Sequence, residues 1–192
     1  MTWQNDESTL SSDCFSHALY EEPIVNIHLR KEQSDDIEKI NELIIAAFLE
    51  APHTSHTEQF IVKQLRDAEA LSTSIVAELG ERIVGHVALS RVEISDGSAG
   101  WYGLGPISVD PEMQGRGIGS QLMCEAEREL RNIQANGCVL LGEPEYYRRF
   151  GFKAIDRLIL PDVPPEYFLA LHLDGTIPRG VVTYHKAFSA VD

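Results

Sequence analysis

The run from Gln114 to Gly119 places three glycines, Gly115, Gly117 and Gly119, within six residues. Upstream, Leu104, Ile107 and Val109 lie in a β-compatible stretch that begins at Trp101. Asp110-Pro111 ends that strand, because proline provides no ladder donor and pushes the residue before it out of the helical region. Downstream, Leu122, Met123, Ala126 and Leu130 recur at helical spacing. A glycine-rich loop feeding a helix start offers free backbone N–H groups and the positive end of a helix dipole. Both attract anions, phosphates above all. The stretch therefore predicts a site for a phosphate-bearing cofactor.

Spacing narrows the choice. A Walker loop requires Gly-Lys-Ser/Thr, and here Gly119 is followed by Ser120 and Gln121, with no lysine for terminal phosphates. A dinucleotide fingerprint requires G-x-G-x-x-G, but the position after Gly119 is Ser120. The ribose-binding acid expected about 20 residues further on is also missing, since Val139, Leu140 and Leu141 occupy the next strand.

The rest of the chain must position this loop. Residues 1–22 are polar and aperiodic and read as a tail or loosely docked segment; residues 23–192 read as a single domain. Ile24 to Arg30 alternates as a first strand. Ser34 is an N-cap candidate, with Asp35 and Asp36 in the first turn of a helix carrying Ile37, Ile40, Leu43, Ile44, Ala47 and Phe48. Ala51-Pro52 closes it, and a second helix carries Phe60, Ile61, Leu65 and Ala68. Thr73 to Leu79, the turn Gly80-Glu81, and Ile83 to Val92 form a hairpin. Asp96-Gly97 turns the chain into the strand at Trp101. Gly137 is placed to cap the helix after the glycine loop. Cys138 to Leu141 is a short buried strand, and Glu143-Pro144 starts a short helix with Tyr146, Tyr147 and Phe150 that Gly151 ends. Phe152 to Ile155, the alternation Leu169, Leu171, Leu173, and Gly180 to His185 are the remaining strands.

Within the central strand, Gly103-Leu104-Gly105-Pro106 is an unusual element, because proline removes a ladder donor and glycine weakens pairing. It fits either a ragged strand start or a bulge that opens the sheet.

Composition bounds the function. The chain has 192 residues, 16 Lys and Arg against 30 Asp and Glu, and a net charge of -14. That balance argues against nucleic acid, where a basic surface provides most of the affinity, and against an anionic membrane surface. It suits amine or cationic substrates. Cys14, Cys124 and Cys138 are odd in number and unpatterned, which favours reduced, core-filling thiols. No basic segment leading an apolar one opens the sequence, and no apolar run approaches ~18 residues, so the expectation is a protein of the reducing cytoplasm. His53 and His56 lack carboxylate or cysteine partners at ligand spacing, so no metal site is expected.

Three segments together resemble a known family. Gln114-Gly115-Arg116-Gly117-Ile118-Gly119 matches the pattern Gln/Arg-x-x-Gly-x-Gly/Ala of the acetyl-CoA pyrophosphate loop in the GNAT N-acetyltransferase superfamily. The hairpin return Arg82-Ile83-Val84-Gly85-His86 and the turn Tyr147-Arg148-Arg149-Phe150-Gly151-Phe152 accompany it. With Leu104-Gly105-Pro106 and the ending Gly-x-Val-x-Tyr-His, the chain is similar to the bacterial acetyltransferases described as YhbS-like. The resemblance runs from about Ile24 to the C-terminus. It implies a GNAT fold: α/β, with a mixed, mostly antiparallel central sheet, splayed central strands and flanking helices.

It also implies a site. Gln114, Gly115, Arg116, Gly117, Ile118, Gly119 and Ser120 would hold the pyrophosphate of acetyl-CoA, a co-substrate. The sheet would splay beside the central strand, and the backbones of Ile107, Ser108 and Val109 would pair with the pantetheine arm in a form of strand addition. A backbone N–H at the splay would polarise the thioester carbonyl. Acetyl transfer to an amine needs a neutral amine, oxyanion donors and, for a thiolate whose free pKa is near ~8.5, a proton donor. Tyr147 occupies the aromatic position that faces the CoA sulfur in this family and is the candidate acid; plain packing is the other reading of its ring. Tyr146 reads as a packing or substrate-wall residue. Arg148 and Arg149 read as a solvated pair, and His53 and His56 as acceptor-wall residues.

No general base is evident. Glu93, His86 and Glu143 are nearby in sequence, and each reads first as structural: an edge acid, a satisfied strand histidine, a helix-start carboxylate. Positioning alone, with water taking the proton, also serves. The expected function is acetyl-CoA-dependent N-acetylation of a primary amine of a small molecule or peptide by direct attack. The alternatives are a non-catalytic acyl-CoA-binding module on the same fold, or an acyltransferase with another donor or nucleophile. The acceptor is not legible, because the loops that would wall it, 49–57 and 156–180, carry no readable code. A monomer and a homodimer are equally open.

Overall fold

The computed structural model describes residues 26–49 and 57–189. The segment 1–25, the expected strand start at Ile24, the helix stop at Ala51-Pro52, and His53 and His56 therefore lie outside the described residues.

Among the described residues there are ten strands and four α-helices, in the predicted order except for two unpredicted two-residue strands, Glu93–Ile94 and Leu158–Ile159. They are β1 (His28–Lys31), α1 (Ile37–Phe48), α2 (Glu58–Asp67), β2 (Leu71–Leu79), β3 (Arg82–Arg91), β4 (Glu93–Ile94) and β5 (Trp101–Val109). Then come α3 (Ile118–Asn132), β6 (Gly137–Leu141), α4 (Pro144–Tyr147), β7 (Lys153–Ala154), β8 (Leu158–Ile159), β9 (Phe168–His172) and β10 (Gly180–Thr183). The main sheet runs β1-β2-β3-β5-β6-β9-β7, and a second, small sheet runs β4-β10-β8. In the main sheet the β5–β6 pair is parallel, while the other neighbours pair antiparallel.

Alternation along the strands separates two apolar layers. Ile75, Val87, Leu89, Leu104 and Leu140 meet the stripe Ile118, Leu122, Met123, Ala126 and Leu130 of α3. On the opposite face Val76, Ile83 and Ala88 meet Ile40, Leu43 and Ile44 of α1 and Val62 of α2. The helical and strand periodicities of the sequence thus describe one sheet sandwiched between helices.

Four local expectations change. The helix entry is capped not by Ser34 but by a Gln33–Asp36 capping box: the Asp36 carboxylate accepts from Gln33 N–H at 2.8 Å and from Arg30 Nη2 at 3.0 Å, so a buried acid ties β1 to the helix entry. The helix after the glycine loop ends at Asn132, with Gln134 in the left-handed region at φ 55°, and Gly137 instead opens β6. Glycine is needed there because a β-carbon would lie 2.5 Å from the Trp101 ring. The last strand stops at Thr183 rather than His185, and it pairs with β4 and β8. Finally, Cys138 is a free buried thiol, but Cys124 is disulfide-bonded rather than a free thiol. Cys124 is half-exposed, beside the buried stripe of α3 rather than in it, so it does not fill the core; Cys14 lies outside the described residues.

Candidate active site

The site begins where the sheet comes apart. β5 and β6 pair through Trp101–Gly137, Tyr102–Cys138 and Gly103–Val139, and no further. β6 keeps its partner β9 through to Leu141–Phe168, so β5 is the strand that departs. On its other side, β5 meets β3 with a register shift. Val87 faces Ile107 and Leu89 faces Leu104, so Gly105 and Pro106 together oppose Ala88. Two residues against one is a bulge, which bends a strand and increases its twist. Of the two readings open for Gly103-Leu104-Gly105-Pro106, the bulge and splay is the one observed. It leaves the β6-facing edge of Leu104 to Val109 without a strand partner among the described residues.

That edge runs straight into the glycine loop. Asp110 Oδ1 accepts from Glu112 N–H at 2.9 Å, which shapes a short 3-10 turn over Pro111–Met113. Gln114 Nε2 donates to the Val109 carbonyl at 3.2 Å, so this side chain staples the loop to the strand end. Gly115 and Gly117 have φ of 75° and 77°, the left-handed region that other residues resist, and Gly117 is the N-cap of α3. The N–H groups of the first turn, Ile118 to Ser120, lack intrahelical acceptors by construction. They point from a positively polarised helix end beside the free edge of β5.

Two glycines outside the loop bring it into place. A β-carbon at Gly85 of β3 would lie 2.9 Å from both Ile118 and Leu122, so Gly85 lets the first turn of α3 seat on the sheet. A β-carbon at Gly142 would lie 2.3 Å from the Tyr147 ring, so Gly142 accommodates that ring. Sequence reasoning quoted Gly85 within the hairpin without finding this reason, which is a contact between distant elements.

Tyr147 stands on α4 in T-shaped contact with Tyr146, centroids 4.9 Å apart, and edge-on to Phe152 at 6.3 Å. Burial, and secondarily Tyr146, push its phenol up to about 12. It therefore keeps its proton at neutral pH and can give up a proton in a reaction but not act as a phenolate base. Tyr146 does more than pack on its own helix. Its hydroxyl lies against Gly119, 2.7 Å from where a β-carbon would be, so it spans from α4 to the first turn of α3. Arg149 is not merely solvated: its guanidinium lies 4.1 Å over the Tyr146 ring, and its Nε donates to the Tyr146 carbonyl at 3.1 Å. The spacing of three residues between Tyr146 and Arg149 on a helical turn was the available signal. Arg116 sits exposed on the loop.

Of the base candidates, Glu93 and Glu143 are exposed. His86 is fully buried on the α1–α2 face of β3, and desolvation pushes its imidazole down to about 4. Its Nε2 lies 2.8 Å from Ser74 Oγ, while Nδ1 has no partner. The expectation of a satisfied strand histidine thus holds for one ring nitrogen and not for the other. Ser108, expected to offer its backbone, also carries a buried hydroxyl without a partner.

Among the described residues, no helix is long and apolar enough to cross a membrane, and no cluster of three or more His, Cys, Asp or Glu side chains could hold a metal ion.

Comparison with known proteins converges on this geometry. The model of the acetyltransferase (GNAT) domain matches residues 70–154, which include the hairpin, the splay, the glycine loop and the tyrosine helix. The uncharacterized N-acetyltransferase YhbS of Escherichia coli K12 is 34% identical over 152 residues, 76% of this chain and 91% of that protein. A crystal structure of a GNAT family acetyltransferase from Brucella melitensis in complex with acetyl-CoA shares 44% identity at a TM-score of 0.76, over 85% of this chain and 99% of that one. The structure of E. coli YhbS in complex with CoA superposes at a TM-score of 0.79 with 27% identity, over 90% and 97% of the two chains.

Proposed function

Because the chain belongs to the GNAT N-acetyltransferase family, we propose that it transfers the acetyl group of acetyl-CoA to a primary amine of a small molecule or peptide by direct attack. One observation carries the reading: β5 loses β6 after Gly103 and leads directly into a left-handed glycine loop and a helix N-terminus. A free strand edge suits the amides of a pantetheine arm, and the loop suits a pyrophosphate. The Brucella and E. coli relatives, solved with acetyl-CoA and CoA, support bringing the same ligand to this chain.

In this reading the backbones of Ile107, Ser108 and Val109 pair with the arm. Gln114, Gly115, Arg116, Gly117, Ile118, Gly119 and Ser120 surround the pyrophosphate, with N–H groups from the loop and first turn and the exposed Arg116 cation. Gln114 contributes by holding the loop to Val109 rather than by reaching outward. Tyr147, protonated at neutral pH, gives its proton to the departing thiolate, and Tyr146 covers the first turn of α3 beside it. The acidic surface, at net charge -14, favours a cationic acceptor. The cytoplasm is the setting the reading assumes.

The test is thiol release from acetyl-CoA in the presence of a panel of primary amines, alongside CoA binding by calorimetry. Binding together with amine-stimulated release supports the enzyme. Binding with no amine, peptide or polyamine stimulating release would overturn N-acetylation and leave the acyl-CoA-binding module or an acyltransferase with another donor or nucleophile.

A further inference from the structure

We propose that the chain closes a disulfide between Cys14 and Cys124, and that this bond straps the acidic segment 1–25 along α3 beside the glycine loop, where it weakens the binding of phosphates. The bond follows from the cysteines themselves. Its effect on the cofactor rests on the acetyl-CoA reading above.

The chain has three cysteines, Cys14, Cys124 and Cys138. Cys138 is a free thiol, fully buried in β6. Cys124, half-exposed on α3, is disulfide-bonded. Within one chain, Cys14 is the one partner left for it.

The described chain begins in the right place for that bond. Residue 26 leads towards β1, the edge strand of the main sheet, and β1 lies against α3. Ile27 and Leu29 pack on the cluster that holds Met123, Ala126 and Leu130, and Lys31 Nζ meets Glu129 Oε2 at 2.6 Å. Cys124 precedes Glu129 on the same helix by about 8 Å of axial rise. The stretch from Cys14 to Ile27 spans up to about 40 Å when extended, so the join needs no stretching of the chain.

The bond also sets what the segment lies beside. Residues three, four and seven apart share a helix face, so Cys124 lines up with Gln121, Ser120 and the N-cap Gly117. Gly117 is about 10 Å from Cys124 along the axis. Residues 1–25 contain Asp6, Glu7, Asp13, Glu21 and Glu22 and neither lysine nor arginine. Asp13 adjoins Cys14, so the bond holds that carboxylate near α3, and Asp6 and Glu7 follow on a tether long enough to reach the loop. Arg116 is exposed on the loop and forms no ion pair among the described residues. Carboxylates held there attract Arg116 and repel a phosphate on the N–H groups of the first turn. The separation is close to the Debye length of about 10 Å at 0.1 M salt, so the effect is felt at low salt and screened at high salt.

The bond is reversible. One cysteine thiolate attacks a disulfide oxidant such as oxidised glutathione and expels a thiolate, and the second cysteine displaces the other half. Two protein thiols thus lose two protons and two electrons, and the oxidant leaves as two thiols. Reduction by excess thiol runs the exchange backwards and frees the segment.

Two measurements test the proposal. In the first, the full chain is equilibrated in oxidised glutathione, free thiols are alkylated under denaturing conditions, and peptides are mapped by mass spectrometry. The expected map joins the Cys14 and Cys124 peptides in a monomer and alkylates Cys138 alone. Alkylation of all three, glutathione left on Cys124, or a Cys124–Cys124 dimer overturns the proposal. In the second, CoA affinity is read by calorimetry for the oxidised chain, the chain reduced by a phosphine, and Cys14→Ser. At about 50 mM salt the oxidised wild type should bind about 3- to 10-fold more weakly than the reduced one, and the gap should fall below about 2-fold at about 500 mM. Cys14→Ser should bind like the reduced wild type under both redox conditions. The triple variant Asp6→Asn, Glu7→Gln, Asp13→Asn should regain the reduced affinity with the bond intact, which separates charge from blockage. Equal affinities in the two redox states, or a loss that neither salt nor the triple variant relieves, overturn the electrostatic strap. A chain that carries the bond and binds CoA in neither state contradicts the acetyl-CoA reading instead, and inorganic pyrophosphate as the probe then decides the strap by the same salt comparison.

Discussion

The two sides of β5 are built by opposite means. Its β6 side is an open backbone edge continued by a glycine loop, where the useful groups are main-chain N–H and C=O. Its β3 side is a closed ladder that carries polar side chains: Ser108 opposite His86 in the register, and Ser74 hydrogen-bonded both to His86 and to the half-buried Glu32. The open side offers shape and fixed dipoles, which any residue in the right conformation provides. The buried side holds polar atoms whose states depend on one another, so each substitution there changes the rest. One strand thus separates an open backbone edge from a closed network of polar side chains.

Substitutions can break each half separately. The largest effect is expected on the open side. Gly117→Trp places a bulky side chain at a left-handed N-cap, and CoA affinity should fall by more than about 100-fold, or about 2.7 kcal/mol, by calorimetry. Unchanged affinity would mean that the loop is not the anion site.

The buried side should show itself as pH dependence of stability. The folded pKa of His86, about 4, lies below its ordinary value of 6.5. The unfolded chain therefore binds the extra proton first. The stabilisation is complete above pH 6.5 and is lost as pH falls towards 4. It amounts to on the order of 3 kcal/mol for a fully buried ring. Denaturant titrations of the wild type and His86→Gln should diverge across that window; parallel curves would mean the ring titrates normally.

Tyr147→Phe comes next. Turnover should fall about 10- to 100-fold with the Michaelis constant for acetyl-CoA nearly unchanged, because the proton is needed only as the thiolate departs. Equal rates would leave Tyr147 a packing residue. Gly142→Ala is smaller: its β-carbon would press on the Tyr147 ring. It should cost about 1–3 kcal/mol of stability, read by denaturant midpoint, through forced displacement of that ring.

The same contrast explains what could be seen in the sequence. The open side is written locally. Gly103 to Pro106 announces the bulge, Asp110-Pro111 the strand stop, and Gln114 to Gly119 the loop, all within one continuous stretch of the chain. Conformation at glycine and proline depends on the residue itself, so spacing alone reveals it. The longer helices and strands were equally legible, because burial on one face imposes periods of 3.6 and 2, whereas the two-residue strands β4 and β8 are too short to show a period. The buried side is not local. Ser74 and Glu32 are separated by 42 positions and Ser74 and His86 by 12. No spacing rule joins them until β1, β2 and β3 are paired. Gly85 and Gly137 were visible as glycines, but their reasons, Ile118 and Trp101, come from elsewhere in the fold. The helix cap failed for a related reason: Ser and Asp are about equally good caps locally, and the Gln33–Asp36 pair takes the place because Arg30 on β1 holds the Asp36 carboxylate.

The most direct test of the central claim is a crystal structure of this chain soaked or grown with acetyl-CoA. The expected result has the pantetheine arm hydrogen-bonded along the β5 edge from Leu104 to Val109 and the pyrophosphate on the N–H groups of Gly115 to Ser120. Acetyl-CoA bound elsewhere, or a fully paired β5–β6 edge with no ligand at saturating concentration, would contradict it.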